Sequence, residues 1–576
     1  MDIPAGALTQ ATTITISEAV APAPVGVSPL TPLHRFQPEG TVFYVPVTVS
    51  IPVPTSTTAA SLAWTKRGFV DYGAATTSDL DTLDGTVSGG KVSARVLHFS
   101  GGAATAPAPT RTVFGIFGKF HHPPGTPLAF APVDLSVPPE AVFADTVVSA
   151  ATTRYTGTGY ADGLFFVPGL PSSGLYRMFL GSGGYEWTSL DPLARTAFAP
   201  GRADAEPWDL SNSAPANLSL ALSGLAPWKT GDYIELASPG AYAYLPGLPP
   251  PTPAADATTY SGTLDLKAMG AFVPNTLEGS KGDRLAILQE EVRPTANGET
   301  YWTVVSSLIA SPFDLTGPGT VSIAAPLQPL ALTHSLDCDF RISQFASAVQ
   351  TSLPLNLASG SVIDPSGSSY LAVLGNFGPL EEGILFNNAD LLSYAHATDD
   401  SDVATGAMAY GTPAPDQLQP FGFVRYSKSV RFLLPGTTPP RAVFVAGMDQ
   451  TLDATSLCTG AVIPVLEPVS NLEVAGMDAR QPLQGVGLAP TISWTPPAVG
   501  TPVRYTVTIN LLSATTANNT TSSSVASIVT SQTQVPVPSG LLESGKIYVI
   551  SIITEVALTG VTSGTSSYSV SNTITP

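Results

Sequence analysis

Val42-Phe43-Tyr44-Val45-Pro46-Val47-Thr48-Val49-Ser50-Ile51 is rich in β-branched and aromatic residues, and its second half alternates apolar Val47, Val49 and Ile51 with polar Thr48 and Ser50. A period of two is that of a strand with one buried face. Pro and Gly punctuation on both sides keeps the run to strand length. Thr13-Ile14-Thr15-Ile16-Ser17 alternates in the same way. Gly89-Gly90 then turns the chain into Lys91–Phe99, where Val92, Ala94, Val96 and His98 fall on one face.

The pattern extends through all 576 residues, which contain 52 Gly and 55 Pro. Pro lacks the amide hydrogen and clashes with the preceding helical turn, so this density forbids long helices. A helical bundle, a coiled coil and a collagen-like rod are excluded. Hydrophobic residues make up 43% of the chain, enough for several cores. At about 150 residues per domain, the length predicts about four domains. The expected fold class is all-β and multidomain: tandem β-sandwiches around a central β region of sandwich or propeller type.

The chain has 43 acidic and 24 basic residues, a formal charge of −19. Nucleic-acid binding requires stripes of Lys and Arg against phosphate, and the longest basic cluster here is Lys66-Arg67. An anionic membrane repels such a chain. The acids are scattered, as solubility alone requires. No run of 18 apolar residues exists, so no transmembrane segment is expected. Cys338 and Cys458 are the only cysteines; they form one long-range disulfide or remain two buried thiols. Their number and spacing exclude a zinc site. The opening Met1-Asp2-Ile3-Pro4-Ala5-Gly6-Ala7-Leu8 has no leader character and reads as the middle of a domain, as in a trimmed or mature chain.

Composition and punctuation place domain boundaries near 102, 181 and 465. Ala103-Ala104-Thr105-Ala106-Pro107-Ala108-Pro109 is a small-residue linker. In the central region 182–465, Gly231-Asp232-Tyr233-Ile234-Glu235-Leu236 returns 51 residues later as Gly282-Asp283-Arg284-Leu285-Ala286-Ile287-Leu288. Tyr370-Leu371-Ala372-Val373-Leu374 is a looser relative. Such a repeat suits propeller blades or stacked sandwiches. The best helix candidate is short, around Ala389–Tyr394.

Three segments resemble known modules. Ile3-Pro4-Ala5-Gly6-Ala7-Leu8, Phe36-Gln37-Pro38-Glu39-Gly40-Thr41-Val42-Phe43 with Pro46-Val47, Trp64, and Val96-Leu97-His98-Phe99-Ser100 resemble the ZU-five module of ankyrins, netrin receptors and zonula occludens proteins. Residues 1–102 would be that module, with its first strand missing. Gly163-Leu164-Phe165-Phe166-Val167-Pro168-Gly169-Leu170-Pro171 and Gly174-Leu175-Tyr176 resemble the closing strands of a carboxypeptidase regulatory-like sandwich over 103–181. Thr491-Ile492-Ser493-Trp494-Thr495-Pro496-Pro497, Tyr505-Thr506-Val507-Thr508-Ile509, and Leu542, Gly545 and Tyr548 resemble a fibronectin type III domain over 466–576. That likeness implies that Trp494 fills the core and that the Tyr548 hydroxyl bonds backbone.

The ZU-five likeness also implies a site. Some members cut themselves between the Phe and Ser of His-Phe-Ser, which falls here on His98, Phe99 and Ser100. The Ser100 hydroxyl lies next to the Phe99 carbonyl, so its attack gains from proximity. An N-to-O acyl shift gives an ester that water hydrolyses, with His98 moving the proton. Residues two apart on an ideal strand are too distant for direct transfer, so the step requires a kink, which Gly101-Gly102 permits. The alternative is that His98 and Ser100 only pack and hydrogen-bond at a strand end.

Other residues carry weaker signals. Asp79-Leu80-Asp81-Thr82-Leu83-Asp84-Gly85 alternates carboxylates like part of a calcium loop but lacks the closing Glu; a solvated hairpin approach suits it better. Asp399-Asp400-Ser401-Asp402, after His396, reads as a polar surface loop. His121 and His122 point to opposite faces of an extended chain and cannot chelate one ion. His34 and His334 have no His or acid partner nearby in sequence. The pairs Glu290-Glu291 and Glu381-Glu382 read as surface charge. Trp187, Trp208, Trp228 and Trp302 fall in the central region and suit a sugar-stacking face or a core. Asn518 and Asn519 match glycosylation sequons. No nucleophile elbow, zinc-protease helix or phosphate loop is present.

The order of modules resembles that of bacterial surface or secreted lipoproteins, and this likeness implies a non-enzymatic, secreted or cell-surface structural or adhesion protein, needing no cofactor. Its expected partners are surface glycans or other proteins, with no nucleic acid. The alternative is a carbohydrate-binding or glycan-active accessory protein.

Overall fold

A computed structural model gives the fold. It describes residues 1–576 apart from 5–6, 9, 20–23, 25, 69–70, 73, 122–128, 137–141, 149–150, 181–184, 190–194, 199–201, 203, 239, 242, 246, 248–252, 270–274, 358–359, 364–366, 377–388, 397–398, 414–418, 433–440, 455, 517–518, 558–563 and 571–573. The chain is all-β and many-sheeted, about 55% strand and 3% helix. It divides into two compact units, residues 1–119 with 131–197, and residues 120–130 with 198–576. The boundary expected near residue 102 thus falls inside the first unit, and that near residue 465 inside the second.

The first unit opens with β1 (Thr15–Glu18), β2 (His34–Gln37), β3 (Val42–Pro52), β4 (Ala60–Thr65), β5 (Leu80–Ser88), β6 (Lys91–His98) and β7 (Gly101–Thr105). They form a seven-stranded sheet in the order β1-β2-β7-β4-β5-β6-β3. The alternation in β3 is real: Val47, Val49 and Ile51 are buried, while Thr48 and Ser50 are partly exposed. Pairing with β6 slips between Val42 and Val47: Val42 faces His98, whereas Val47 faces Val96. Pro46 lies in that slip, where a residue without an amide hydrogen costs no ladder bond. Phe36, Phe43, Trp64 and Phe99 fill the core, with the Phe43 and Phe99 rings edge-on at 4.6 Å.

Also in this unit, β8 (Thr110–His121) pairs antiparallel with β9 (Leu164–Pro171) over a second core that includes Val113, Phe165, Val167, Tyr176 and Met178. Gly163 opens β9 at φ 79°, and a Cβ there would sit 2.2 Å from the Phe117 carbonyl oxygen. Only glycine fits that close approach.

The second unit contains a long ribbon of antiparallel pairs. Its early strands are β10 (Tyr233–Ser238), β11 (Ala286–Pro294), β12 (Thr300–Ile309), β13 (Ser368–Asn376), β14 (Ala389–His396) and β15 (Gln419–Phe432). They pair in the spatial order β10-β11-β12-β14-β13-β15. The two copies of the 51-residue repeat are therefore neighbours in one sheet: β10 and β11 pair directly, Ile234 against Gln289.

The segment Ala389–Tyr394, expected as a helix, is strand β14. It is hydrogen-bonded on both edges, to β12 and β13, and is mostly buried. A strand covered on both faces has no alternation to read, and tertiary pairing overrides the helix preference of Ala and Leu. The helix is instead α1 (Ile342–Gln350), which buries Ile342, Phe345, Ala346 and Val349. That spacing of three, four and seven is an amphipathic helical face.

In residues 466–576 the buried Trp494 packs against Tyr505 at 5.2 Å. The Tyr548 hydroxyl accepts the Glu543 amide at 2.9 Å, with Leu542 buried and Gly545 at φ 75° between them. Tyr548→Phe leaves that amide without its partner. Urea unfolding should show a loss of about 1 kcal/mol; no loss would mean that the bond adds nothing to the corner.

Candidate functional site

His98 ends β6, and Phe99 and Ser100 form the link to β7. All three are buried, at 1%, 0% and 1% exposure. The link is pinned by backbone bonds: the Phe99 amide donates to Thr41 O at 2.9 Å, the Gly40 amide donates to Phe99 O at 2.9 Å, and the Phe36 amide donates to Ser100 O at 3.1 Å. The Phe99 ring lies between Phe36 and Phe43, and the Trp64 indole N–H donates to His98 O at 3.3 Å. Apolar packing thus fixes the peptide between residues 99 and 100 in one orientation.

The His98 ring does not face the Ser100 hydroxyl. Its Nδ1 lies 3.4 Å from Phe99 O, and its Nε2 has no hydrogen-bond partner. The Ser100 hydroxyl instead shares a hydrogen bond with the Thr65 hydroxyl, which also accepts the Gly101 amide at 2.9 Å. Strand geometry explains the difference, because side chains two apart stand side by side without meeting. Burial lowers the His98 pKa to about 4, so the ring is neutral at pH 7. A neutral imidazole with its proton on Nδ1 donates to Phe99 O. That oxygen then has two donors, the Gly40 amide and His98, where negative charge develops if the carbonyl is attacked. Thr65 is the hydroxyl that contacts Ser100 and can relay its proton, and its only sequence signal is its place beside Trp64.

The remaining candidates are tied elsewhere. Asp81 is not in a solvated hairpin approach: it is 1% exposed, and burial pushes its carboxyl up to about pKa 6. It shares the inward face of β5 with Leu83, as the period of two requires. Asp79 accepts the Thr76 amide at 2.9 Å, and Asp84 pairs with Arg111 at 3.3 Å. Residues 399–402 lie at the surface, as expected, with Asp399, Ser401 and Asp402 exposed, and their carboxylates bond neighbouring elements. Asp399 accepts the Ser401 amide and sits 3.5 Å from His396 Nε2. Asp400 binds Lys428 and the Tyr426 hydroxyl, each at 2.6 Å. Asp402 accepts the Ser343 amide at 3.0 Å in the first turn of α1, where helix amides lack internal partners. His396 Nδ1 lies 2.5 Å from Glu299, and His334 stacks on Tyr410 at 5.1 Å. Among the described residues no group of three or more His, Cys, Asp and Glu is arranged to hold a metal ion.

Glu290 and Glu291 are not surface charge, at 0% and 7% exposure. Both lie in β11, which is paired on its two edges, and Glu291 binds Lys229 at 2.9 Å. Glu381-Glu382, the His121 side chain, His122 and Asn518 lie outside the described residues. Five of the six tryptophans are buried, and partly exposed Trp302 donates to Gly231 O at 3.0 Å. Cys338 and Cys458 are joined in a disulfide across 120 residues, with Cα atoms 4.8 Å apart.

No helix among the described residues is long and apolar enough to cross a membrane. No protein-family model matches the chain, and no curated protein matches it.

Proposed function

We propose that this chain is an extracellular or cell-surface structural protein, built of β modules of ZU-five-like and fibronectin type III-like character, that acts on no other molecule. One observation carries the reading: among the described residues, most of the side chains that the sequence offered for chemistry are engaged internally. Trp64 and Trp494 fill cores, His396 lies between Glu299 and Asp399, and Asp400 and Asp402 tie a strand and a helix. The long-range disulfide supports an oxidising compartment. A sugar-stacking role is disfavoured because the tryptophans that motivated it are mostly inside.

The geometry at residues 98–100 favours a second, compatible role, one round of self-cleavage. Ser100 Oγ attacks the Phe99 carbonyl carbon while its proton is relayed through the Thr65 hydroxyl to the Ser100 nitrogen, and the Gly40 amide and His98 hold the developing oxyanion. Collapse breaks the C–N bond, leaving Phe99 esterified to Ser100 Oγ and the Ser100 nitrogen as a free amine. Water then releases a Phe99 carboxylate and a chain beginning at Ser100. Intact mass under denaturing conditions should show two fragments divided after Phe99, and Ser100→Ala should give one full-length chain. A single full-length mass for the unaltered protein contradicts this role.

A further inference from the structure

Glu235 on β10 stands opposite Leu288 on β11, which puts Glu290 two residues along on the same face of the sheet. Ala237, Ala286, Leu288 and Val304 join Ala389 in a small apolar core on this side. Glu235 and Glu290 are both 0% exposed. Neither oxygen of Glu235 has a hydrogen-bond donor, nor has Oε1 of Glu290. Glu290 Oε2 accepts the Tyr233 hydroxyl at 2.5 Å, and Asp390 on β14 accepts the Tyr370 hydroxyl at 3.4 Å.

Every titratable group that acts on Glu235 and Glu290 is itself an acid or a phenol. They are Tyr233 on the same strand, Asp390 from β14, Tyr370 from β13 and Tyr244 from the neighbouring strand Ala243–Leu245. Among the described residues no Lys, Arg or His is seen to offset them. Two ionised carboxylates near one another in an apolar core are untenable, so the pair holds at least one proton.

We propose that Glu235, Glu290 and Asp390 form a proton-locked carboxyl cluster that makes the β10-β11-β14 region loosen as pH rises. Burial first, and then repulsion from their acidic neighbours, raises Glu235 and Glu290 well above the usual carboxylate range, while burial pushes Asp390 to about 7. A carboxyl whose folded pKa exceeds its unfolded value contributes fully below the unfolded value, about 4. That contribution is lost as pH climbs through the folded value, so the region is tightest in acid and loosest in alkali. Each proton held lowers the closed-to-open ratio about tenfold per pH unit across this window.

Hydrogen exchange on the full chain tests this, with rates corrected for the intrinsic effect of pH. Protection of residues 233–238 and 286–294 should fall by at least about tenfold per unit between about pH 5 and pH 7, about tenfold for each proton held, while that of residues 547–557 stays nearly level. Glu235→Gln cannot ionise, and should reduce the slope at both segments. Asp390→Asn, should the first variant fail to fold, should also reduce it. A flat profile in the unaltered protein overturns the proposal, as do equal slopes in the protein and its folded variants.

Discussion

Replacing Cys338 and Cys458 together by alanine should lower the stability of the second unit by about 5 kcal/mol, the chain-entropy expectation for a closed loop of this length. The bridge spans 120 residues, and Cys338 is fully buried beside Phe340 and Phe345 in the largest apolar cluster. Cutting the link leaves the packing nearly intact and frees the unfolded chain, so the effect arises mainly in the unfolded state. Urea unfolding should show an earlier midpoint, and chemical reduction of the unaltered protein should reproduce it. A loss below about 1 kcal/mol would mean that residual structure already holds the unfolded loop together.

Arg202→Met should cost the same unit about 3–5 kcal/mol, the usual effect of stranding buried charge. The Arg202 guanidinium is 5% exposed and bonds Asp283 through Nε at 2.7 Å and Nη2 at 3.1 Å. It also reaches Glu278 at 3.0 Å and Asp204 at 2.5 Å. Methionine fills the volume but leaves Asp283, at 2% side-chain exposure, without its cation. Asp283→Asn added to Arg202→Met should recover part of the loss, because the remaining group is then neutral. Recovery measured by urea unfolding separates stranded charge from lost packing. A double variant no more stable than Arg202→Met would point to packing alone.

The fold class was legible because strand periodicity is local. Val47, Val49 and Ile51 alternate inward, and Val92, Ala94 and Val96 do the same on the partner strand. The Pro and Gly density correctly excluded a helical protein. What stayed hidden depends on partners distant in sequence. Ala389–Tyr394 is a strand because β12 and β13 pair with both its edges, which its own residues do not encode. Helix α1 is brief, and its five buried residues were a weaker signal than the β patterns around it. Glu290 looked like surface charge because a carboxylate usually is; only the pairing of β11 on two edges buries it. At residues 98–100 the motif was readable, but the roles were not. Thr65 is 35 residues from Ser100 and meets it only because β4 pairs with β7.

The most direct test of a structural role is product analysis by mass spectrometry after incubating the folded chain with polysaccharides and peptides. No product above that of heat-denatured protein is expected. Turnover that disappears on a single substitution in a folded variant would contradict the structural reading.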